Sequence, residues 1–148
     1  MRILVDGDSC PVKEEICEIS KCYKIEVQIF ISTAHYTNNR LAAKYITVDS
    51  NYQAVDLELV KELTKEDLVI TNDYGLAALV LGFGAVAISS YGKVFTEENI
   101  DYLLSRNHLI SRLRRQKEYI FKSSKYNKKK REKFKVNLVE LIENKSKI

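Results

Sequence analysis

Cysteine, histidine and long apolar runs are all scarce in this chain, and each shortage removes a class of function. The three cysteines, Cys10, Cys17 and Cys22, are odd in number and form no Cys-x-x-Cys pair, so neither a disulfide framework nor a zinc site is indicated. Reduced thiols are expected, with Cys10 at a helix start where a thiol pKa can be lowered. His35 and His108 have no metal-ligand partner at useful spacing. The longest apolar stretch, Leu76 to Ile88, is broken by Gly82 and Gly84 and falls short of the roughly 18 to 20 residues of a membrane span. The chain enters a strand at once, without a basic segment and an apolar core, so no secretory signal is expected and a cytoplasmic location is. No internal repeat is present, and the one candidate linker, near Lys122 to Asn127, reads as a helix break. A single domain over residues 1–148 is the expectation.

What is present fits that expectation. A chain of 148 residues that is 45% hydrophobic and 30% charged can bury about two-thirds of its surface. Its net charge of +4 conceals an asymmetry: residues 1–100 carry 9 basic and 15 acidic residues, whereas residues 101–148 carry 15 basic and 5 acidic. Lys122 to Lys135 is densest, with eight basic residues, one acid, and Tyr126 and Phe134 among them. Cations interleaved with aromatics suit single-stranded RNA, because charges follow the backbone and rings stack on bases. Lys128, Lys129, Lys130 and Arg131 in the basic helical tail, about 122–148, are the candidate contacts. The alternative is that abundant lysine covers a solvated face.

Periodicity alternates between strand and helix. Strands are predicted over 2–6, 26–32, 45–48, 67–71 and 85–88; helices over 11–23, opened by Asp8 or Ser9 as N-cap, and over 52–64 and 75–81. Residues 33–40 are polar, and 89–96 read as a turn or short hairpin. Thr96 then caps a helix running to about residue 116, and a lysine-rich helix follows over 127–144. Alternating strands and helices make this an α/β chain with a mainly parallel central sheet and a C-terminal helical segment.

Four aspartates fall where such a sheet places its ligands. Asp6 and Asp8 follow the apolar run Ile3-Leu4-Val5, and Asp73 follows Leu68-Val69-Ile70-Thr71. Asp56 shares a helix face with Leu59, Val60 and Leu63, where a carboxylate is costly to bury unless paired or metal-bound. The crevice beyond the carboxyl ends of parallel strands is the usual binding site, and clustered hard oxygen ligands suit Mg²⁺ or Mn²⁺. Each acid also has a structural reading as a cap or turn residue.

Asp6-Gly7-Asp8-Ser9-Cys10-Pro11-Val12-Lys13, Ala54-Val55-Asp56, Asp67 to Asp73 with Leu76-Ala77, and Tyr91-Gly92 followed by Thr96 and Asn99-Ile100 closely resemble the bacterial YaiI/YqxD family of uncharacterised proteins. That family is similar to PIN-like domains, three-layer α/β metal-dependent ribonucleases with acids at strand ends. The resemblance implies acidic roles for Asp6, Asp8, Asp56 and Asp73, and a hydroxyl role for Thr71 beside the last. The chain departs from the family pattern at Leu57, where a second acid is usual, at Gly75, where proline is, and at Tyr91, where arginine is. It departs again around Lys122-Ser123-Ser124 and at Lys130-Arg131, where the family has a Gly- and Pro-containing turn and an Asp-Arg pair.

The expected activity is hydrolysis of RNA phosphodiester bonds by one or two divalent ions. Asp6 and Asp73 hold the first ion, Asp8 and Asp56 complete the site or orient water, Ser9 and Thr71 support the carboxylates, and Lys13 meets a phosphate. Two alternatives stand beside it: a non-catalytic RNA-binding protein, and a phosphatase using Asp6-x-Asp8 as nucleophile and acid/base.

Overall fold

The computed structural model describes residues 1–35, 40–49, 54–115 and 125–146. Its centre is β1 (Arg2–Asp6), whose Ile3, Leu4 and Val5 have no exposed surface. A strand apolar on consecutive positions is buried on both faces, the situation of a parallel sheet covered by helices. β2 (Glu26–Ser32) and β4 (Leu68–Ile70) flank β1 in parallel, β3 (Lys44–Val48) extends the sheet beyond β2, and β5 (Val86–Ile88) lies beyond β4. β6 (Val94–Phe95) turns back antiparallel on β5, so residues 89–96 do form a short hairpin, and the order is β3-β2-β1-β4-β5-β6.

Strand alternation divides the core into two layers. Leu4, Phe30, Val69 and Ala87 face α2 (Ala54–Glu62), α3 (Tyr74–Gly82) and α4 (Glu97–Arg115), where Leu59, Leu76, Val80 and Leu103 meet them. Ile3, Val5, Ile29 and Ile70 face α1 (Lys13–Tyr23) and α5 (Lys128–Ser146), through Ile16, Phe134, Leu138 and Ile142. The result is a three-layer α/β fold. Among the described residues no helix is long and apolar enough to cross a membrane.

Two features differ from the sequence reading. α1 starts at Lys13 rather than near Pro11, after Val12, which makes no side-chain cap. The carboxylate expected to cap it, Asp8, instead accepts the Ser32 N–H at 2.9 Å. The lysine-rich helix forms as expected, but it also carries a core stripe: Phe134, Leu138 and Ile142 recur every four residues and are completely buried. Its first turn is capped by Asn127, whose Oδ1 accepts the Lys130 N–H at 2.9 Å. Residues 122–124, part of the expected helix break, and 52–53, the expected start of α2, lie outside the described residues.

At the other end of the sheet, Arg2 fastens β1 to the turn before β4. Its guanidinium donates to both oxygens of Asp67, at 3.1 and 2.8 Å, and Asp67 is only 2% exposed. Burial alone would push the Asp67 carboxyl up; the Arg2 bonds and the Thr64 N–H outweigh it and hold it below the ordinary value.

α5 and the segment leading into it are sewn to the hairpin by the hydroxyl of Tyr126, which donates to the Ser90 carbonyl at 2.8 Å, and by Asn137 Nδ2, which donates to the Gly92 carbonyl at 2.6 Å. Gly92 has φ +89°, and a Cβ there would lie 2.8 Å from Lys133 Cγ and 2.9 Å from the Phe134 nitrogen. Gly92→Ala should therefore lower unfolding free energy by about 2–3 kcal/mol, from left-handed strain plus a backbone clash. Gly82→Ala, in open space at the end of α3, should be neutral or slightly stabilising. Urea midpoints for both variants check this; equal midpoints would show that α5 yields at Gly92.

Candidate active site

β1 and β4 are adjacent, but the chain leaves β1 toward β2 and β4 toward β5, so a topological switch point lies between them. Asp6, two residues after Leu4, points to the α2–α4 layer just as β1 ends. Thr71, one residue past β4 and 2% exposed, donates its hydroxyl to Asp6 Oδ2 at 2.9 Å and accepts the Asp73 N–H at 3.0 Å. One buried hydroxyl thus couples the two strand ends. Asp73 is the N-cap of α3: its Oδ1 accepts Gly75 N–H at 2.8 Å and Leu76 N–H at 3.2 Å. Asp56 arrives from the first turn of α2.

These three carboxylates form one electrostatic unit. Burial raises the Asp6 pKa, the Thr71 hydroxyl opposes that, and the charges of Asp73 and Asp8 raise it further. Asp56 is pushed up to about 7, first by burial, then by the charges of Asp73 and Asp6 and by a hydrogen bond shared with the Asp73 carboxyl. Burial and the like charges beside it act in the same direction to produce that shift. Beside them Asp56, Leu57, Val60, Asp73, Gly75, Leu76 and Leu79 line a cleft of about 220 Å³.

Asp8 goes elsewhere. Residues Gly7–Ser9 form a 3-10 turn pressed onto β2, where a Cβ on Gly7 would come within 2.8 Å of Ile29, Ile31 and the Phe30 carbonyl. The turn aims Asp8 at Ser32 and places its Oδ1 3.4 Å from His35 Nδ1, in a separate cavity of about 610 Å³ whose lining includes Cys10, Lys13, Glu15, Tyr45 and Arg131. Lys13 belongs to that cavity too. Ser9 meets the site through its carbonyl, which accepts from Asn72 Nδ2 at 3.4 Å, and its hydroxyl touches no acid among the described residues. The Cys10 thiol is not activated: burial pushes it up to about 11 despite the nearby Lys13.

Of the basic residues, Lys128 and Lys129 are exposed at the start of α5. Lys130 sits 4.9 Å over the Tyr91 ring, and Arg131 pairs with Glu15 at 3.1 Å and lies 5.7 Å over Tyr126. Sequence reasoning missed Asn72, the neighbour of Asp73. Its amide accepts from Ser90 N–H at 2.9 Å and donates to Ser90 Oγ at 2.8 Å, tying the acids to the hairpin. An Asn one residue before the last acid was the available signal. Among the described residues, no three His, Cys, Asp or Glu side chains already stand as a ready set of metal ligands.

A family model described as "Uncharacterized BCR, YaiI/YqxD family" matches residues 4–144. A UPF0178 protein of Clostridium kluyveri is 38% identical over 144 residues, covering 97% of this chain and 94% of that relative. One from Natranaerobius thermophilus is 39% identical over 142 residues, 96% of each, and one from Bacillus cytotoxicus is 34% identical over 143, 97% of this chain and 93% of its own. No solved structure matches.

Asp56 carries a measurable consequence. Its folded pKa of about 7 lies above the ordinary carboxyl value of 3.8, so between those values the folded chain binds more protons than the unfolded one. Stability should fall as pH rises through that window and level off above it. Asp56→Asn should remove most of the slope in urea midpoints between about pH 5 and pH 8; an unchanged slope would mean that Asp56 is not held protonated by its neighbours.

Proposed function

The chain belongs to the uncharacterised bacterial YaiI/YqxD family, and from its acid trio we propose that it is a divalent-metal-dependent ribonuclease hydrolysing RNA phosphodiester bonds. The carrying observation is the convergence of three carboxylates at the switch point: Thr71 ties Asp6 to the Asp73 turn, and Asp6 and Asp56 are both raised, first by burial and then by the charges of their acidic neighbours. The donor set fits a hard ion, being all oxygen, with Cys10 protonated and His35 engaged at Asp8 and Ser32. Asp6 keeps Oδ1, and Asp73 keeps Oδ2, beyond the bonds made to Thr71 and to the α3 amides.

Mg²⁺ or Mn²⁺ bound there would neutralise the carboxylates and lower the pKa of an attacking water. Asp6 and Asp73 are the holding residues, and Thr71 fixes the rotamer of Asp6. Asp56, beside the two holding residues on the first turn of α2, is the proton acceptor in this reading: it would take the proton of water as oxygen attacks phosphorus and the ester bond to the leaving oxygen breaks. The likeness to PIN-like nucleases supports the same chemistry by analogy alone. The excess of basic residues over 101–148 supplies attraction for RNA. A non-catalytic RNA binder is the competing reading, favoured by the Asp73 cap, which gives that residue a purely structural use. The phosphatase reading is weaker, because the Asp8 carboxylate is bonded to Ser32 rather than turned to the trio.

Cleavage of a labelled single-stranded RNA in Mn²⁺ tests this. Asp6→Asn, Asp56→Asn and Asp73→Asn should each lose at least about a hundredfold in rate, and the last keeps its cap, since Asn also accepts from α3 amides. Asp8→Asn should lose far less. Lys128→Gln with Lys129→Gln should weaken binding and flatten its salt dependence without abolishing cleavage. RNA left intact by the wild type but bound through those lysines would establish the binder instead.

A further inference from the structure

The hairpin after β5 is fixed far more firmly than a surface turn requires. Ser89 Oγ accepts from the amides of Tyr91 and Lys93, Ser90 is held by Asn72 from one side and by the Tyr126 hydroxyl from the other, and the Gly92 carbonyl is held by Asn137. Burial pushes the Tyr126 hydroxyl up to about 12, so it stays a donor throughout the neutral range. All this order presents Tyr91, which is nonetheless 40% exposed. The ring is braced by Tyr126, at a centroid distance of 5.5 Å, and by Lys130 over its face, and the part left exposed on this rigid mount is available to a ligand.

Tyr91 forms one wall of a slot of about 110 Å³ shared with Asn72, Tyr74, Ser89, Lys93 and Phe95. Tyr74 is set edge-on against Phe95, with centroids 5.8 Å apart, which holds its ring in place. Two of its lining residues, Asn72 and Tyr74, flank Asp73 in sequence, while Asp73 itself lines the neighbouring cleft with Asp56. Its volume is well below the several hundred Å³ of a whole-ligand pocket and matches a single ring system. Lys93 on the lining and Lys130 beside Tyr91 supply positive charge for a flanking phosphate.

We propose that this slot receives one nucleobase of a single-stranded RNA whose backbone passes the acid trio, with Tyr91 as its stacking wall. The inference rests on reading the trio as an RNA site and adds what selects the substrate. Aromatic walls grip any base by its face, and lysines follow the backbone, so preference for unpaired over duplex RNA results without a sequence code. A paired base cannot enter a slot of this size without leaving its stack.

The chain has no tryptophan, so Tyr91→Trp places a sole indole reporter on the slot. That variant, in EDTA to prevent cleavage, is titrated with an oligoadenylate of about eight nucleotides and with a base-free ribose phosphate chain of equal length. Quenching by the oligoadenylate and none by the base-free chain is expected. In anisotropy with the same probes, Tyr91→Ala should bind the oligoadenylate about tenfold more weakly than wild type and the base-free chain equally, while Tyr91→Phe matches wild type. Equal quenching by both probes, no quenching, or wild-type affinity in Tyr91→Ala overturns the slot. Quenching in a protein that never cleaves RNA in Mn²⁺ keeps the slot and removes the nuclease; cleavage without base-dependent quenching does the reverse.

Discussion

The site exists because β1 is buried on both faces up to its last residue. Ile3, Leu4 and Val5 lie inside two helical layers, so the first polar group the chain can place beyond them is Asp6, at the mouth of the crevice between β1 and β4. β4 repeats the pattern, apolar through Ile70 and polar from Thr71. Parallel pairing of these two strands sets the two polar ends side by side, and the Thr71 hydroxyl closes the gap. Without that central pairing, Asp6, Asp56 and Asp73 would be ordinary surface acids.

Bringing them together has an energetic cost that other parts of the molecule offset. Asp73 gains two amide bonds as the α3 cap, and Asp6 gains the Thr71 hydroxyl, but Asp56 gains only the shared proton with Asp73 and is raised to about 7. Charge crowded in a crevice and left uncompensated by protein is a common mark of a functional site. The two core layers and the Arg2–Asp67 bridge at the far end of the sheet carry that strain. The molecule therefore separates a stabilising end, where opposite charges meet, from a reactive end, where like charges do.

Much of this was legible in the residues. Periods of two and of about 3.6 located the strands and helices, and put Asp6 and Asp73 after apolar strands and Asp56 on the apolar face of its helix. The fate of Asp8 was not legible, because the 3-10 turn at Gly7–Ser9 depends on a close approach to Ile29 and Ile31 that only the folded sheet creates. Cys10 is the inert thiol expected, because burial outweighs whatever a helix start could do to lower its pKa. The stripe Phe134, Leu138 and Ile142 was visible at helical spacing, yet the surrounding lysines drew attention to charge rather than to core. Asn72 and Ser90 are eighteen residues apart, and nothing local announces their bond.

The central claim, that the trio is a cation site, is tested most directly by anomalous diffraction from crystals grown with Mn²⁺. The account predicts a peak within about 2.0–2.6 Å of carboxylate oxygens from Asp6 and Asp73, with Asp56 beside it. No peak there at millimolar Mn²⁺, or one confined to the cavity of Asp8, would contradict it.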